Sequence, residues 1–227
     1  MLGELIDLML PRSCVGCGRD GAALCAGCGA IDVHQVPVGD LLVRAATSYG
    51  GGVRSALIAY KERGRRDLAG PLGGLLAVAL AYSPAGAVLV PVPSSAAARR
   101  ARGGDHLVRL ARVAARRSGG RVVPALVLVR HVDDSAGLDA TARKVNLAHA
   151  MAATRPADPR RAAVLVDDIT TTGATLVEAA RALRARGWRV GGAAVVAATP
   201  KRVGDPQPFH DIRTGCTPGT PGRAGLT

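Results

Sequence analysis

Two adjacent carboxylates, Asp167 and Asp168, come directly after a short apolar run at residues 163–166. The run is rich in β-branched residues, which is typical of a buried strand in a parallel sheet. The two acids therefore stand where the strand leaves the sheet, and ligands of open α/β sheets bind at that edge. Carboxylates at such an edge can accept hydrogen bonds from sugar hydroxyls or bind Mg2+ with its waters.

A loop of small hydroxylated residues follows the acids and leads into a helix. Its residues are Thr170, Thr171, Thr172, Gly173, Ala174 and Thr175. Threonine hydroxyls, free N–H groups at a helix N-terminus and a glycine that lets the backbone approach can together hold a phosphate. The acids and the loop therefore predict a site for a ribose 5-phosphate. The alternative is a strand, a turn and a capped helix without a ligand.

Four cysteines form two CxxC pairs, Cys14 with Cys17 and Cys25 with Cys28. Two such pairs can bring four thiolates around one tetrahedral Zn2+, and a complete set of four cysteines is typical of a structural site. The gap between the pairs is shorter than in common zinc ribbons, so the metal would hold a compact knuckle with almost no core. Disulfides or free thiols are the alternatives.

The composition indicates an apolar core and an anionic partner. Apolar residues make up 48% of the 227 residues, and aromatic residues only 2%. The 30 basic and 17 acidic residues give a net charge of +13, which predicts a phosphorylated metabolite, pyrophosphate or nucleic acid as the partner. Because so few aromatic rings are available for base stacking, any nucleic-acid binding is expected to be weak and non-specific.

Residues 69–98 carry no charge, which raises the question of a membrane span. Pro84 and Pro91 break this stretch into a short helix and a strand, so we interpret it as buried core. The first ten residues contain Glu4 and Asp7 and no basic segment, unlike a signal peptide. We therefore expect a cytoplasmic protein without a membrane partner.

Strands and helices alternate along the chain, which predicts an α/β fold with a mostly parallel sheet flanked by helices. Besides the strand before the acids, the pattern predicts strands at 41–49, 87–93, 125–130 and 190–198, and helices at 53–62, 68–81 and after residue 107. Residues 30–40 are interpreted as a linker. We therefore expect an N-terminal helix and zinc knuckle at 1–36, the α/β domain at 40–200 and a disordered tail at 201–227.

Basic side chains stand near two of the predicted strand ends. Arg99, Arg100 and Arg102 follow the strand at 87–93, and guanidinium groups there suit a pyrophosphate because they bind phosphate oxygens in pairs. Lys61 belongs to a basic cluster that either faces an anionic ligand or forms a solvated turn between helices.

The run at 163–175 closely resembles the phosphoribosyl pyrophosphate (PRPP) motif of type I phosphoribosyltransferases. The whole chain is similar to the ComF family, over about residues 10–198. The shared features are the four cysteines, a YKxxGRRDLA-like stretch at 60–69, a VPVP strand at 90–93, an RxRG-like loop from residue 100, an AGLxxxxRxxNL-like flap at 136–147 and the PRPP motif. The chain departs from the family pattern at Gly104, Asp105 and His106, and at Ser135.

The resemblance implies a type I phosphoribosyltransferase-like fold and a protein that binds PRPP with Mg2+ and transfers the phosphoribosyl group to an unidentified acceptor. It implies that Asp167 and Asp168 are catalytic residues that bind the ribose hydroxyls, and that the loop at 170–175 holds the 5-phosphate. It also implies that pyrophosphate is bound by Lys61, Arg99, Arg100 and Arg102. ComF-like proteins are associated with DNA uptake in competent bacteria. The alternative is therefore a non-catalytic nucleotide-binding module that acts with a DNA-processing partner.

Overall fold

A computed structural model of the chain describes residues 13–130 and 140–199. The N-terminal helix, the first part of the flap and the tail, which the sequence predicts, lie outside these residues. The strands are β1 (His34–Val38), β2 (Leu41–Ser48), β3 (Val88–Pro91), β4 (Arg121–Val122), β5 (Leu126–Leu128), β6 (Met151–Ala153), β7 (Ala163–Thr170) and β8 (Val190–Ala198). The helices are α1 (Gly51–Glu62), α2 (Ala69–Leu80), α3 (Ala96–Ala101), α4 (His106–Ser118), α5 (Ala140–Leu147) and α6 (Ala174–Arg184), with a 3-10 turn at Arg66–Leu68.

Six strands form the main sheet in the order β1-β2-β8-β7-β3-β4. Strand β1 runs antiparallel to β2, and all other neighbours are parallel. Strand β7 lies between β8 and β3, and its first four residues are buried, which explains an apolar run where a half-exposed strand would alternate. The predicted α/β fold with a mostly parallel sheet flanked by helices is confirmed.

The uncharged stretch at 69–98 forms α2 and β3 in the core. Helix α2 packs closely against α4, since a Cβ added at Gly73 would lie 2.5 Å from Val113 Cγ1. Small residues thus allow the two helices to approach over one face of the sheet. Across the described part of the chain, every helix lacks the length or the apolar character needed to cross a bilayer.

The prediction of a linker at residues 30–40 is wrong in its second half. Residues 34–38 form β1, which pairs with β2 from His34↔Ala45 to Val38↔Leu41, so the expected boundary at residue 36 falls inside a strand. The strand tolerates Pro37 because β1 is the edge of the sheet, where a missing N–H costs least. Gly39, with φ of 61°, allows the tight turn between the two strands.

The predicted strand at 125–130 forms β5, which pairs antiparallel with β6 in a small second sheet. Buried Glu178 of α6 fastens this sheet to the main body: it accepts a hydrogen bond from Met151 N at 3.0 Å and binds Arg181 at 2.7 and 2.8 Å. The part of the predicted flap that lies within the described residues forms α5, and Arg130 donates to the Asn146 and Ala148 carbonyls at its end.

Candidate functional site

A pocket of about 650 Å³ opens at the carboxyl ends of β3 and β7. Its apolar wall includes Val92 and Pro93 after β3, Leu107 of α4 and Ile169 of β7. Its charged and polar lining includes Lys61, Arg102, His106, Asp167, Asp168, Thr171 and Thr175. Because neighbouring parallel strands end at one edge, residues from α1, the segment after α3, α4 and β7 meet there.

Asp168 lies at the bottom of this pocket and is only 4% exposed. Its Oδ2 lies 2.6 Å from Lys61 Nζ and 3.1 Å from His106 Nε2. Burial by itself would raise the pKa of this carboxyl, but Lys61 and the His106 hydrogen bond more than offset it and hold the pKa well below its usual range. Asp168 is therefore a fixed negative charge held by two donors.

Lys61 reaches the pocket from the last turn of α1. Burial lowers the pKa of its ammonium group, but Asp168 outweighs that effect and the pKa is raised on balance. The ion pair therefore joins α1 to the end of β7. The residues of the basic cluster at 61–66 have different surroundings. Lys61 lines the pocket, whereas Arg65 forms an ion pair with Asp67 at 2.8 Å.

Asp167 is half-buried, and its Oδ1 accepts a hydrogen bond from the Asp168 amide at 2.8 Å. Burial and the adjacent charge of Asp168 raise the pKa of Asp167 to about 8, against partial compensation by Lys61. The pKa values of these two adjacent carboxyl groups are therefore shifted in opposite directions. A hydrogen-bond donor or a cation placed against Asp167 would stabilise its charged form.

His106 is a pocket residue to which the sequence analysis gave no role. It is the first residue of α4 and is 7% exposed. Besides its bond to Asp168, its ring packs edge-on against Tyr60 at 6.1 Å, and its carbonyl accepts from the Tyr60 hydroxyl at 3.0 Å. No local pattern marks this residue, because its partners come from α1 and β7.

Asp105 does not line the pocket, although it closely follows the arginines that are expected to bind pyrophosphate. Its Oδ1 accepts from the N–H groups of Leu107 and Val108 at 3.1 and 3.2 Å, so it caps the N-terminus of α4. An aspartate directly before an apolar helical pattern is a capping signal, and it was available in the sequence.

The hydroxyl-rich loop has a mixed structure. Thr171 and Thr175 line the pocket, whereas Thr170 is 3% exposed and its buried Oγ1 has no hydrogen-bond partner within the described residues. Thr172 Oγ1 accepts from Ala174 N at 3.4 Å. Two of the four predicted hydroxyl-bearing residues therefore line the pocket in this conformation.

Gly173 is the N-cap residue directly before α6 and has φ of 76°, a left-handed conformation that favours glycine. A Cβ at this position would collide with the Val38 side chain of β1. The edge strand therefore supports the loop directly, and Gly173 is required by local backbone and packing alike.

The three arginines after β3 separate in space. Arg102 lines the pocket and points Nη1 towards His106 Nδ1 at 3.5 Å. Arg99 and Arg100 are exposed on α3, and Arg99 donates to the Ser94 carbonyl at 2.8 Å. Only Arg102 of the three joins the acidic pair and Lys61, and the role of the other two in pyrophosphate binding stays a prediction.

The four cysteines of the knuckle lie close enough to bind one metal ion, with all Sγ atoms within 4.8 Å of one another. Cys17 and Cys25 Sγ are 3.7 Å apart, close to the edge of about 3.8 Å of a tetrahedron with Zn–S bonds of about 2.3 Å. Burial raises the pKa of Cys14, but N–H groups of Cys25, Cys17 and Gly16 outweigh it and lower the pKa, which favours the metal-binding thiolate. The set fits a structural zinc ion.

The knuckle packs directly on the start of α1. A Cβ at Gly16 would lie 2.8 Å from Gly52 Cα, and one at Gly52 would collide with Cys28. The backbones of the knuckle and of α1 are therefore in contact at Gly16 and Gly52, which have no side chains. Helix α1 connects this contact to the pocket, because Tyr49 precedes it and Lys61 lies in its last turn.

No model of a known protein family matches this chain, and no functionally curated protein matches it either. The pocket is surrounded by two carboxyl groups, two cations and a helix N-terminus with threonine hydroxyls. One of the two carboxyl groups has a raised pKa and the other a lowered pKa. Such a set can hold a ligand that carries both phosphate groups and vicinal hydroxyls.

Proposed function

We propose that this protein is a ComF-like protein with a type I phosphoribosyltransferase-like fold, which binds PRPP with Mg2+ and transfers its phosphoribosyl group. The observation that carries the proposal is the meeting of the acidic pair, the Thr171–Thr175 loop, Lys61 and Arg102 around one pocket. A strand-turn-helix unit without a ligand would not need a buried and a half-buried carboxyl group side by side, one with a lowered and one with a raised pKa.

Each side chain has a distinct task in this proposal. The acidic pair accepts hydrogen bonds from the ribose 2- and 3-hydroxyls, while Thr171, Thr175 and the first N–H groups of α6 hold the 5-phosphate. Arg102 and Lys61 face the pyrophosphate. Mg2+, when bound, supplies positive charge to the pyrophosphate oxygens, and carboxylate oxygens are ligands it prefers.

The reaction is a displacement at ribose C1. The acceptor forms a bond to C1 while the bond from C1 to the pyrophosphate oxygen breaks, pyrophosphate leaves with the electron pair, and the acceptor loses its proton to solvent. Positive charge develops on the sugar in the transition state, and the two carboxylates below the ring stabilise it. Arg102 stabilises the negative charge that the leaving group gains.

The decisive experiment is calorimetric titration with PRPP and Mg2+ of the wild type and of the double variant Asp167→Asn with Asp168→Asn. Charge-assisted hydrogen bonds contribute about 1.5–3 kcal/mol each, so PRPP affinity should fall at least about tenfold, while inorganic phosphate still binds the loop. The matched control is Glu62→Gln, an exposed acid of α1. Unchanged or tighter PRPP binding by the double variant would refute the assignment.

A second candidate is a protein that binds the ligand without transferring it and acts with a DNA-processing partner. The observation in its favour is that Asp168 Oδ2 already has two donors at 2.6 and 3.1 Å, which limits its freedom to respond to a changing sugar. A screen of nucleobases for pyrophosphate release separates the two. PRPP binding without release for every base would favour the binding module.

We also infer that the four-cysteine set holds a structural Zn2+ rather than a catalytic one. Four cysteines fill a tetrahedral coordination sphere and leave no position for water or substrate. The knuckle contacts the start of α1 and contributes none of the residues that line the pocket. Its contribution to the site is therefore mechanical.

A further inference from the structure

His106 stands between the cationic and acidic sides of the pocket. Its Nδ1 lies 3.5 Å from Arg102 Nη1, and its Nε2 lies 3.1 Å from Asp168 Oδ2. A guanidinium group only donates and an ionised carboxylate only accepts. These two neighbours therefore determine the tautomer of the His106 ring. Nδ1 carries the lone pair and accepts from Arg102, and Nε2 carries the proton and donates it to Asp168.

The ring has little freedom to change this arrangement. Its side chain is 8% exposed, and Tyr60 holds it from α1 through an edge-on contact and a hydrogen bond to its carbonyl at 3.0 Å. A shift of the ring therefore moves the donor that Asp168 depends on. Lys61 Nζ binds the same oxygen, Oδ2, so Lys61 and His106 together determine where that oxygen lies.

We propose that His106 is a positioning residue that couples Arg102 to Asp168, so that an anion on Arg102 and a sugar on the acidic pair are bound interdependently. This inference rests on the proposed function, because it assigns the two ends of one ligand to the two ends of the Arg102–His106–Asp168 chain. An anion that takes Arg102 removes the donor from Nδ1, so the Nε2–H bond to Asp168 weakens and Asp168 accepts more strongly from a sugar hydroxyl. A ligand with both groups benefits from this coupling, whereas a ligand with one group does not.

The simpler alternative is that His106 fills space at the start of α4. The two roles predict different behaviour for His106→Gln and His106→Leu. A glutamine carries one acceptor and one donor, so it can bridge Arg102 and Asp168, whereas leucine fills similar volume without either. A residue that only fills space would tolerate leucine at least as well as glutamine.

The first test needs no ligand. Nitrogen-15 spectra of the full chain, with His106 assigned from its loss in His106→Gln, report which ring nitrogen carries the proton. We expect the Nε2–H form, and a shift of the Nδ1 resonance in Arg102→Met, because Nδ1 then loses its donor. A proton on Nδ1, or a resonance unchanged by Arg102→Met, would overturn the proposal.

The second test uses ribose 5-phosphate, which has the sugar and the 5-phosphate but no pyrophosphate. Because Arg102→Met frees Nδ1 as an anion on Arg102 would, it should strengthen binding of ribose 5-phosphate at least threefold in the wild type and in His106→Gln, but not in His106→Leu, where the link is already broken. Arg112→Met, which removes an exposed arginine from α4, is the control and should change nothing. Equal effects of Arg102→Met in all three backgrounds would overturn the coupling.

Failure of the proposed function is distinguishable from failure of this inference. If the wild type binds neither PRPP nor ribose 5-phosphate, the phosphoribosyl site is refuted, and the ring spectra still decide whether His106 links Arg102 to Asp168. If His106→Leu does not fold, His106→Ala replaces it as the background without donor or acceptor, and Arg102→Met should again have no effect there.

Discussion

Asp167→Asn should make the ligand-free protein more stable and the ligand-bound complex weaker. Burial and the charge of Asp168 raise the pKa of Asp167 to about 8, so the folded state resists ionisation of this carboxyl. The amide keeps the volume and the oxygen that accepts from the Asp168 N–H at 2.8 Å. It removes only the ionisable carboxyl, whose charged form is disfavoured in the folded protein.

The sign and size of the effect follow from proton linkage. Between the ordinary pKa of aspartate, about 3.9, and a pKa of about 8 in the folded protein, the unfolded chain has lost the proton that the folded state retains. Wild-type stability therefore falls as the pH rises through this window, by up to about 1.4 kcal/mol per pH unit. The side chain of Asp167 is half-buried, and solvent screening reduces the total to about 2–3 kcal/mol.

The assay is denaturant unfolding of the wild type and Asp167→Asn from pH 4 to pH 9. The curves should coincide near pH 4, diverge through neutrality and run parallel above pH 8, with the variant more stable by about 2–3 kcal/mol. Glu62→Gln removes an exposed acid and should show no such divergence. Equal stability of wild type and Asp167→Asn at pH 8, or a less stable variant, would refute the reasoning.

The remaining predictions concern the elements that support the pocket. Fully reduced protein purified without added metal should contain about one Zn2+ per chain by elemental analysis, and a ratio near zero would contradict the metal site. Cys25→Ser should lower the melting temperature of the whole folded unit by about 5–10 °C, because the knuckle packs on α1; a separate early transition of the knuckle alone would contradict this. Gly173→Ala should cost about 2–3 kcal/mol through its left-handed backbone and the contact with Val38, and Val38→Ala should recover part of that loss. Arg181 and the Met151 amide outweigh burial and lower the pKa of Glu178. Glu178→Gln should therefore lower the free energy of unfolding by about 2–3 kcal/mol at neutral pH. Denaturant unfolding should show the difference between wild type and variant narrowing as the pH falls below about 4.3.

Contiguous parts of the site could be predicted from the sequence because their physics is local. The run at 163–175 contains a buried strand, two acids, a loop and a helix start in that order, and it forms β7, the loop and α6. The cysteine pairs are equally local, since two short CxxC turns need only one close approach to bring four sulfur atoms within 4.8 Å. In both cases residue types and spacing within about 15 positions contain the information.

The pattern of apolar segments also predicts most strands of the main sheet, but not the strands at its edges. The sequence predicts a linker at residues 30–40 because Pro37 and Gly39 interrupt it, yet residues 34–38 pair with β2 as an edge strand. That strand then supports Gly173 through Val38. Only the strand order brings β1 near α6, and no pattern in either segment indicates the other.

The partners of the acidic pair were decided by tertiary structure alone. His106 lies 62 positions from Asp168, and Tyr60 lies 46 positions from His106. Helical periodicity describes which face of α1 or α4 is apolar, but not which charged side chain at a helix end meets a strand end across the sheet. The same limit applies to the arginines after β3, because the short helix α3 leaves Arg99 and Arg100 exposed while Arg102 enters the pocket. Hydrogen bonds and ion pairs between distant segments depend on distances of a few ångströms, and the packing of α1, α4 and β7 at the carboxyl edge of the sheet sets those distances.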